Sequence, residues 1–363
     1  MKNSKKKKVL LVFVTVILIA AVSVGGYAIY GNYQMGKISG LTFEEALNYT
    51  LKDNDKAVIT VGIIQNGQSS FTVYGKDGTE LPSEEHIYEI GSLTKTFTAA
   101  LVEEGIEEGK ISLDDTVDMY LDLPDGNNYP TIRQLLTHTS GYKAYYFESP
   151  MIGNFFSRRN DFCGISDNTI INKLSKLSID DSTYPFRYSN FGFAVLGLIL
   201  ESVYGEEYTT LVNCFVKDEL RLENTQISDE NGDIGNYWDW LEGDAYLSAG
   251  GLTSNITDML AYAQFQLSNN GLFAACHESL ATINASTESY LKMGIRMDEI
   301  GMSWIIDDEN GIIWHNGGTD NYNCYLGFDP ETGTVAVILS NLPPNYRIPA
   351  TVLGVKLMNE LYK

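Results

Sequence analysis

Basic side chains are scarce in this chain of 363 residues, and so are the residues that bind metals or build disulfide scaffolds. Lys and Arg number 25 against 47 Asp and Glu, for a net charge of -22. The first eight residues hold five lysines (Lys2, Lys5, Lys6, Lys7 and Lys8) and no acid, so the rest of the chain nets -27. Phosphate backbones would repel such a body, which argues against a nucleic-acid partner. Four cysteines (Cys163, Cys214, Cys276, Cys324) are too few for a disulfide scaffold, although one or two bridges stay open. No Cys-x-x-Cys pair occurs, and His86, His138, His277 and His315 never fall at His-x-x-x-His spacing. Neither a metal site nor a cofactor is expected. The Gly-x-Ser-x-Gly elbow is also missing, which disfavours a Ser-His-Asp hydrolase. What is plentiful is core material: 44% of residues are hydrophobic and 12% aromatic, enough for one large or two intermediate domains.

The long uncharged run stands at the N-terminus. Val9 to Tyr30 holds about 22 residues without a charge, enough at roughly 1.5 Å per residue to cross a hydrocarbon core of roughly 30 Å. Lysines before the span place residues 1–8 in the cytoplasm as a basic tail, 9–30 in the membrane as an anchor, and the body outside. A cleaved signal peptide is the alternative. Its apolar region is normally about 7–15 residues, and Ala21-Val22-Ser23 would be the cleavage site. Either route exports the body.

Residues 31–40 read as a polar linker, and 41–363 as the globular part. Phe43 to Lys52 is expected to be a helix behind a Thr42/Glu45 capping box. Ala57 to Ile64 and Phe71 to Tyr74 alternate as strands around Asn66-Gly67. A helix from Ser92 to about Glu108 carries Phe97, Leu101 and Ile106 on one stripe, which predicts an amphipathic element. Thr131 to Leu136 predicts a short helix. From Tyr142 to Tyr184 the chain reads as irregular and aromatic, a stretch able to cover a cleft. Phe191 to Val203 is an apolar helix too short to span a membrane and therefore buried. A glycine-rich turn at Leu247 to Gly251 leads to a helix over Asp258 to Leu267. Met302 to Ile306, Ile312 to His315, Tyr322 to Phe328 and Thr334 to Ser340 predict consecutive antiparallel hairpins, and Ala350 to Leu361 a closing helix. Strands near both ends with helices between them predict an α+β fold: one antiparallel sheet built from the two termini, interrupted by a mainly helical subdomain over roughly 112–245.

Chemistry concentrates at Ser92-Leu93-Thr94-Lys95. A hydroxyl and an amine three residues apart on a helix point the same way, and a helix N-terminus offers free N–H groups to a developing negative charge. An ordinary N-cap would want Glu or Gln at the third position, where Lys95 stands against the helix dipole. Serine needs a neighbour to take its proton, and Tyr188-Ser189-Asn190 supplies a phenol and an amide. A Lys95 ammonium near Tyr188 would lower its pKa from about 10 and make it a usable base. His315-Asn316-Gly317-Gly318 follows a strand, and its paired glycines allow a backbone to approach a ligand.

These three elements, in this order, resemble those of the serine beta-lactamase and penicillin-binding protein superfamily, nearest the class C beta-lactamase-related branch of DD-peptidases, D-aminopeptidases and esterases. The likeness extends to Gly109 through Asp115, Leu135 through Gly141, Tyr188 through Leu198, Ser248 through Leu252 and Gly317 through Thr319, and spans about Ala57 to Asn341. It implies a beta-lactamase/transpeptidase-like fold preceded here by the transmembrane helix, with the site between sheet and helices. It also implies that Ser92 forms an acyl-enzyme and that Lys95 and Tyr188 share proton transfer. Asn190 would bind the substrate amide, and the N–H groups of Ser92 and Gly318 would form the oxyanion hole, with His315 and Gly317 beside the substrate. Class C beta-lactamases carry lysine where His315 stands, so a dedicated beta-lactamase is disfavoured. Asp320-Asn321-Tyr322 also departs from the relatives' Pro-Gly-aromatic turn. The expected activity is an extracytoplasmic DD-peptidase or D-amino-acid amide or ester hydrolase in the cell envelope. Its rivals are a carboxylesterase on small acyl esters, an enzyme removing D-alanyl esters from envelope polymers, and a penicillin-binding sensor with little turnover.

Overall fold

The computed structural model describes residues 36–180, 184–227, 232–268 and 271–362. The expected basic tail and membrane anchor lie outside these residues, as does 31–35 of the linker, whereas 36–39 form a helical turn. Among the described residues no helix is long and apolar enough to cross a membrane.

Along the chain come α1 (Phe43–Leu51), the hairpin β1 (Ile59–Gln65) and β2 (Gln68–Tyr74), then β3 (Tyr88–Glu89) and α2 (Thr94–Glu107). The middle holds α3 (Ile132–Leu136), α4 (Ser149–Ser157), α5 (Asp167–Leu174), α6 (Asn190–Tyr204) and α7 (Tyr208–Cys214). There follow β4 (Gln226–Ile227), α8 (Leu247–Gly250), β5 (Leu252–Ser254), α9 (Ile256–Gln266) and α10 (Leu272–Cys276). The last third contains β6 (Ala281–Thr282), α11 (Glu288–Lys292), β7 (Glu299–Ile300), β8 (Ile305–Asp307), β9 (Ile312–Gly318), β10 (Asn323–Asp329), β11 (Thr334–Ser340) and α12 (Ala350–Leu361).

Local signals set several of these boundaries. Thr42 Oγ1 accepts from the Glu45 N–H at 3.2 Å, and the Glu45 carboxylate accepts from the Thr42 N–H at 3.0 Å, so α1 starts on a reciprocal cap. Asn66 and Gly67 both take positive φ (54° and 73°), as a two-residue turn between right-twisted strands requires. The resulting hairpin joins the far end of the chain: β1 pairs antiparallel with β11, in an eight-stranded order β2-β1-β11-β10-β9-β8-β7-β6. β3, β5 and β4 make a second, small sheet.

Every residue of β10 and β11 is buried, because both faces of the sheet are covered. Tyr325 and Ile338 pack with Leu353 and Met358 of α12 on one face. Leu326 and Leu339 belong to the larger core on the other, together with Leu260 of α9 and Phe193 of α6.

Three expectations need correction. Helix α2 is not amphipathic; Thr94 through Glu103 are all buried, because α6, α8 and α10 surround it. Its polar positions are satisfied internally, as when Thr98 Oγ1 donates to Ser248 O at 2.7 Å. The stretch 142–184 is not irregular, since it contains α4 and α5. The strand expected over Met302 to Ile306 starts only at Ile305, because Ser303 takes φ 69°. On the disulfides the sequence had left open, all four cysteines are free, three of them buried and Cys214 exposed.

Burial of acids inside so acidic a chain has a consequence for stability. Glu103 of α2 is 6% exposed, and burial, aided by Glu107 and Glu278, raises its pKa from 4.5 to about 7. A raised carboxyl pKa means the folded chain binds the proton more tightly than the unfolded one. Its contribution is therefore full below pH 4.5 and is lost as pH rises toward 7. Thermal melts at about pH 5 and about pH 8 should show Glu103→Gln gaining on the parent at the higher pH, and an equal shift at both would contradict the assignment.

Candidate active site

Ser92 sits in a 3-10 turn, Gly91–Leu93, that feeds into α2. The turn lies directly against the end of β9. Gly91 takes φ +47°, and a Cβ there would stand 2.7 Å from Gly318 N; a Cβ on Gly317 would stand 1.9 Å from Ile90 O. Only glycine fits either place. Cys324 on β10 adds a thiol donated to Ile90 O at 3.0 Å. The amide of Gly318 is thereby held beside the Ser92 turn, as an oxyanion hole shared between them needs.

One turn on, Lys95 is fully buried. Its Nζ lies 3.1 Å from Ser92 Oγ and donates to Ala249 O of α8 at 2.6 Å. No carboxylate compensates, and burial alone lowers its pKa well below the usual 10.5. The shift favours the neutral amine, the form able to take a proton.

Tyr188 comes to the same place from the residues ahead of α6, with its ring centroid 4.9 Å from Lys95 Nζ. Burial holds its pKa above the normal 10, with a hydrogen bond to Ser92 drawing it partly back, so the surroundings favour the phenol over the phenolate.

Asn190 opens α6, and its Oδ1 is buried without a partner. It shares a small cavity of about 30 Å³ with Ser92, Gly250, Gly318 and the rings of Phe162, Trp238, Trp240 and Tyr246. Trp238 Nε1 is likewise buried and unpaired. An unmet acceptor and an unmet donor thus share one cavity wall, which suits a ligand carrying both an N–H and a C=O. His315 is buried on β9, with Nδ1 2.7 Å from Asn316 O, and burial lowers its pKa to about 3. It carries no charge at neutral pH. Seven residues picked from the sequence (Ser92, Lys95, Tyr188, Asn190, His315, Gly317 and Gly318) therefore come together. Among the described residues no group of acids, histidines and cysteines is placed to hold a metal ion.

The Beta-lactamase family matches residues 44–353. The chain belongs to the Beta-lactamase family. "Protein flp" of Staphylococcus aureus strain MW2 is 24% identical over 304 residues, 75% of this chain and 56% of that protein. The chain thus spans just over half the length of this relative. Its architecture is similar to the octameric penicillin-binding protein homologue from Pyrococcus abyssi (TM-score 0.69, 18% identity, 93% of this chain and 77% of that one). It is also similar to a beta-lactamase/D-alanine carboxypeptidase from Yersinia pestis (TM-score 0.68, 19% identity, 92% and 99%). At such identities these likenesses establish the fold.

Three residues of this Beta-lactamase-family site were given no role from the sequence. Trp238 and Trp240 are two of only four tryptophans, and their clustering was the one available signal. His138 lies in the Leu135–Gly141 stretch that carries the resemblance, but its own role depends on contacts across 50 residues. Its carbonyl accepts from Arg187 N at 2.8 Å and its Nδ1 accepts from Ser189 N at 3.2 Å, so it grips the chain on both sides of Tyr188. The two rings lie 4.5 Å apart. Burial keeps His138 neutral, leaving Nδ1 able to accept.

Asparagine tolerates the left-handed φ of 57° at this position and keeps an acceptor, whereas leucine offers neither advantage. His138→Leu should slow labelling of Ser92 by a fluorophosphonate about tenfold, and His138→Asn should recover most of that rate. Equal rates for the two variants would remove the clamp from consideration.

Proposed function

We propose that this protein is a serine hydrolase that cleaves a D-amino-acid amide or ester in the cell envelope through an acyl-enzyme on Ser92. The observation that carries the reading is the buried, uncompensated Lys95 amine 3.1 Å from Ser92 Oγ. Lys95 takes the Ser92 proton as Oγ attacks the substrate carbonyl. The N–H groups of Ser92 and Gly318 receive the oxyanion, worth about 2.7–4 kcal/mol for each donor in comparable sites. Tyr188, protonated beside Ser92, hands its proton to the departing nitrogen or oxygen and is reprotonated by Lys95, which passes on the proton it took from Ser92. Water then hydrolyses the acyl-enzyme by the same groups in reverse. The D-amino-acid preference is supported by the name of the Yersinia pestis neighbour and by the paired unmet groups of Asn190 and Trp238. An extracytoplasmic site is supported by the basic residues ahead of the uncharged run 9–30.

A carboxylesterase is the second reading, favoured by one observation. His315 is neutral where a lysine would otherwise meet a substrate carboxylate.

Ser92→Ala should abolish fluorophosphonate labelling, and Tyr188→Phe should keep labelling while lowering turnover by about 10²–10⁴-fold. The kcat/KM profile should lose its acid side as Lys95 protonates and stay level into alkaline pH, because the Lys95 pKa is lowered and that of Tyr188 raised. Labelling that survives Ser92→Ala, or an alkaline limb as the sole titration, would overturn the mechanism.

A further inference from the structure

A second and much larger space shares Tyr188 and Gly317 with the site. It has a volume of about 740 Å³, within the range of roughly 300–1,000 Å³ usual for small-molecule sites. Tyr188, Asn316 and Gly317 form its inner end, where it meets the reaction centre. Phe186, Met293, Ile295, Met297, Trp314 and Val352 supply apolar walls. The Ile38 turn closes another side, tied down by Lys356 Nζ, which donates to Leu41 O at 2.7 Å.

Charge is nearly absent from this lining. Among its described residues only Arg347 is ionic, and its Nη1 donates to Lys52 O at 2.6 Å and Tyr49 O at 2.8 Å. The guanidinium also stacks over the rings of Tyr49 and Tyr346, at 5.7 and 5.2 Å. Asn323 is spent as well: its Nδ2 donates to Leu342 O at 2.6 Å and its Oδ1 accepts from Ala350 N. Arg347 is thus the one cation among the described lining residues, and its Nη1 is committed to the carbonyls of Tyr49, Thr50 and Lys52.

Direction follows from proton delivery. In the acyl-enzyme reading the acyl half is bonded to Ser92, which lines the small cavity, and Tyr188, which would protonate the departing atom, lines the large one. We infer that the pocket bounded by Tyr188, Trp314, Met293 and Met297 holds the leaving half of the substrate, and that this half is an alcohol or amine bearing a bulky, uncharged, apolar group. The inference rests on the acyl-enzyme reading and deepens it. A free D-alanine leaving group, small and polar, would leave most of such an apolar space unfilled.

The test uses the full-length protein and D-alanyl esters that share one acyl half: methyl, propyl and butyl esters, plus a butyl ester ending in a carboxylate. The expected result is a kcat/KM that rises by up to about fourfold per methylene, the rate equivalent of burying one CH₂, and falls back for the carboxylate. In Met293→Glu the butyl-to-methyl ratio should drop toward one; this ratio is indifferent to the fraction of protein that folds. Equal rates across the series, a faster carboxylate, or no ester turnover in a protein whose Ser92 still takes the fluorophosphonate would overturn the inference alone. Loss of that labelling reaction in the parent would overturn the acyl-enzyme reading and the pocket assignment with it.

Discussion

The site depends on a contact between two stretches of backbone. The turn carrying Ser92 presses against the end of β9 so closely that no side chain fits at Gly91 or at Gly317. That approach sets the distance between the hydroxyl and the Gly318 amide. It also explains why β9 must be a strand of a large sheet and not a loop. The strand is pinned by β10 and β8 on its two edges, and β10 is itself buried along its whole length. Cys324 reinforces the contact by spending its thiol on the carbonyl next to the turn, so a buried and unreactive cysteine serves as a spacer.

Burial then decides the electrostatics. Lys95, Tyr188, His138 and His315 lie together, and each is driven toward its uncharged form by loss of water. A site of neutral groups can move a proton among a hydroxyl, an amine and a phenol without stabilising any isolated charge for long. The same condition disfavours substrates that bring a fixed charge close to the reacting bond. Two spaces of very different size meet the site, the smaller lined by Ser92 and the larger by Tyr188, which is the arrangement the proposed substrate orientation uses.

The sequence was legible where its signals are local or periodic. Thr42 with Glu45, Asn66-Gly67, the apolar run after Asn190 and the closing helix over Ala350 to Leu361 were placed close to where they lie, because caps, tight turns and continuous burial leave marks within a few residues. Helix α2 misled, since its burial on all sides arises from partners distant in sequence. Strands of two residues such as β3, β4 and β7 carry too little pattern to be read.

What the sequence by itself determined was the inventory: a serine and a lysine one helical turn apart, a tyrosine ahead of a buried helix, and glycines after a strand. Their protonation states were decided only by the tertiary structure. Whether Lys95 is an ammonium or an amine depends on how completely water is excluded and whether any carboxylate lies near. Both are properties of packing between α2, α6 and α8 and are invisible in the order of residues. The large pocket is of the same kind, since its walls come from segments more than 300 residues apart, and no local pattern records an empty volume.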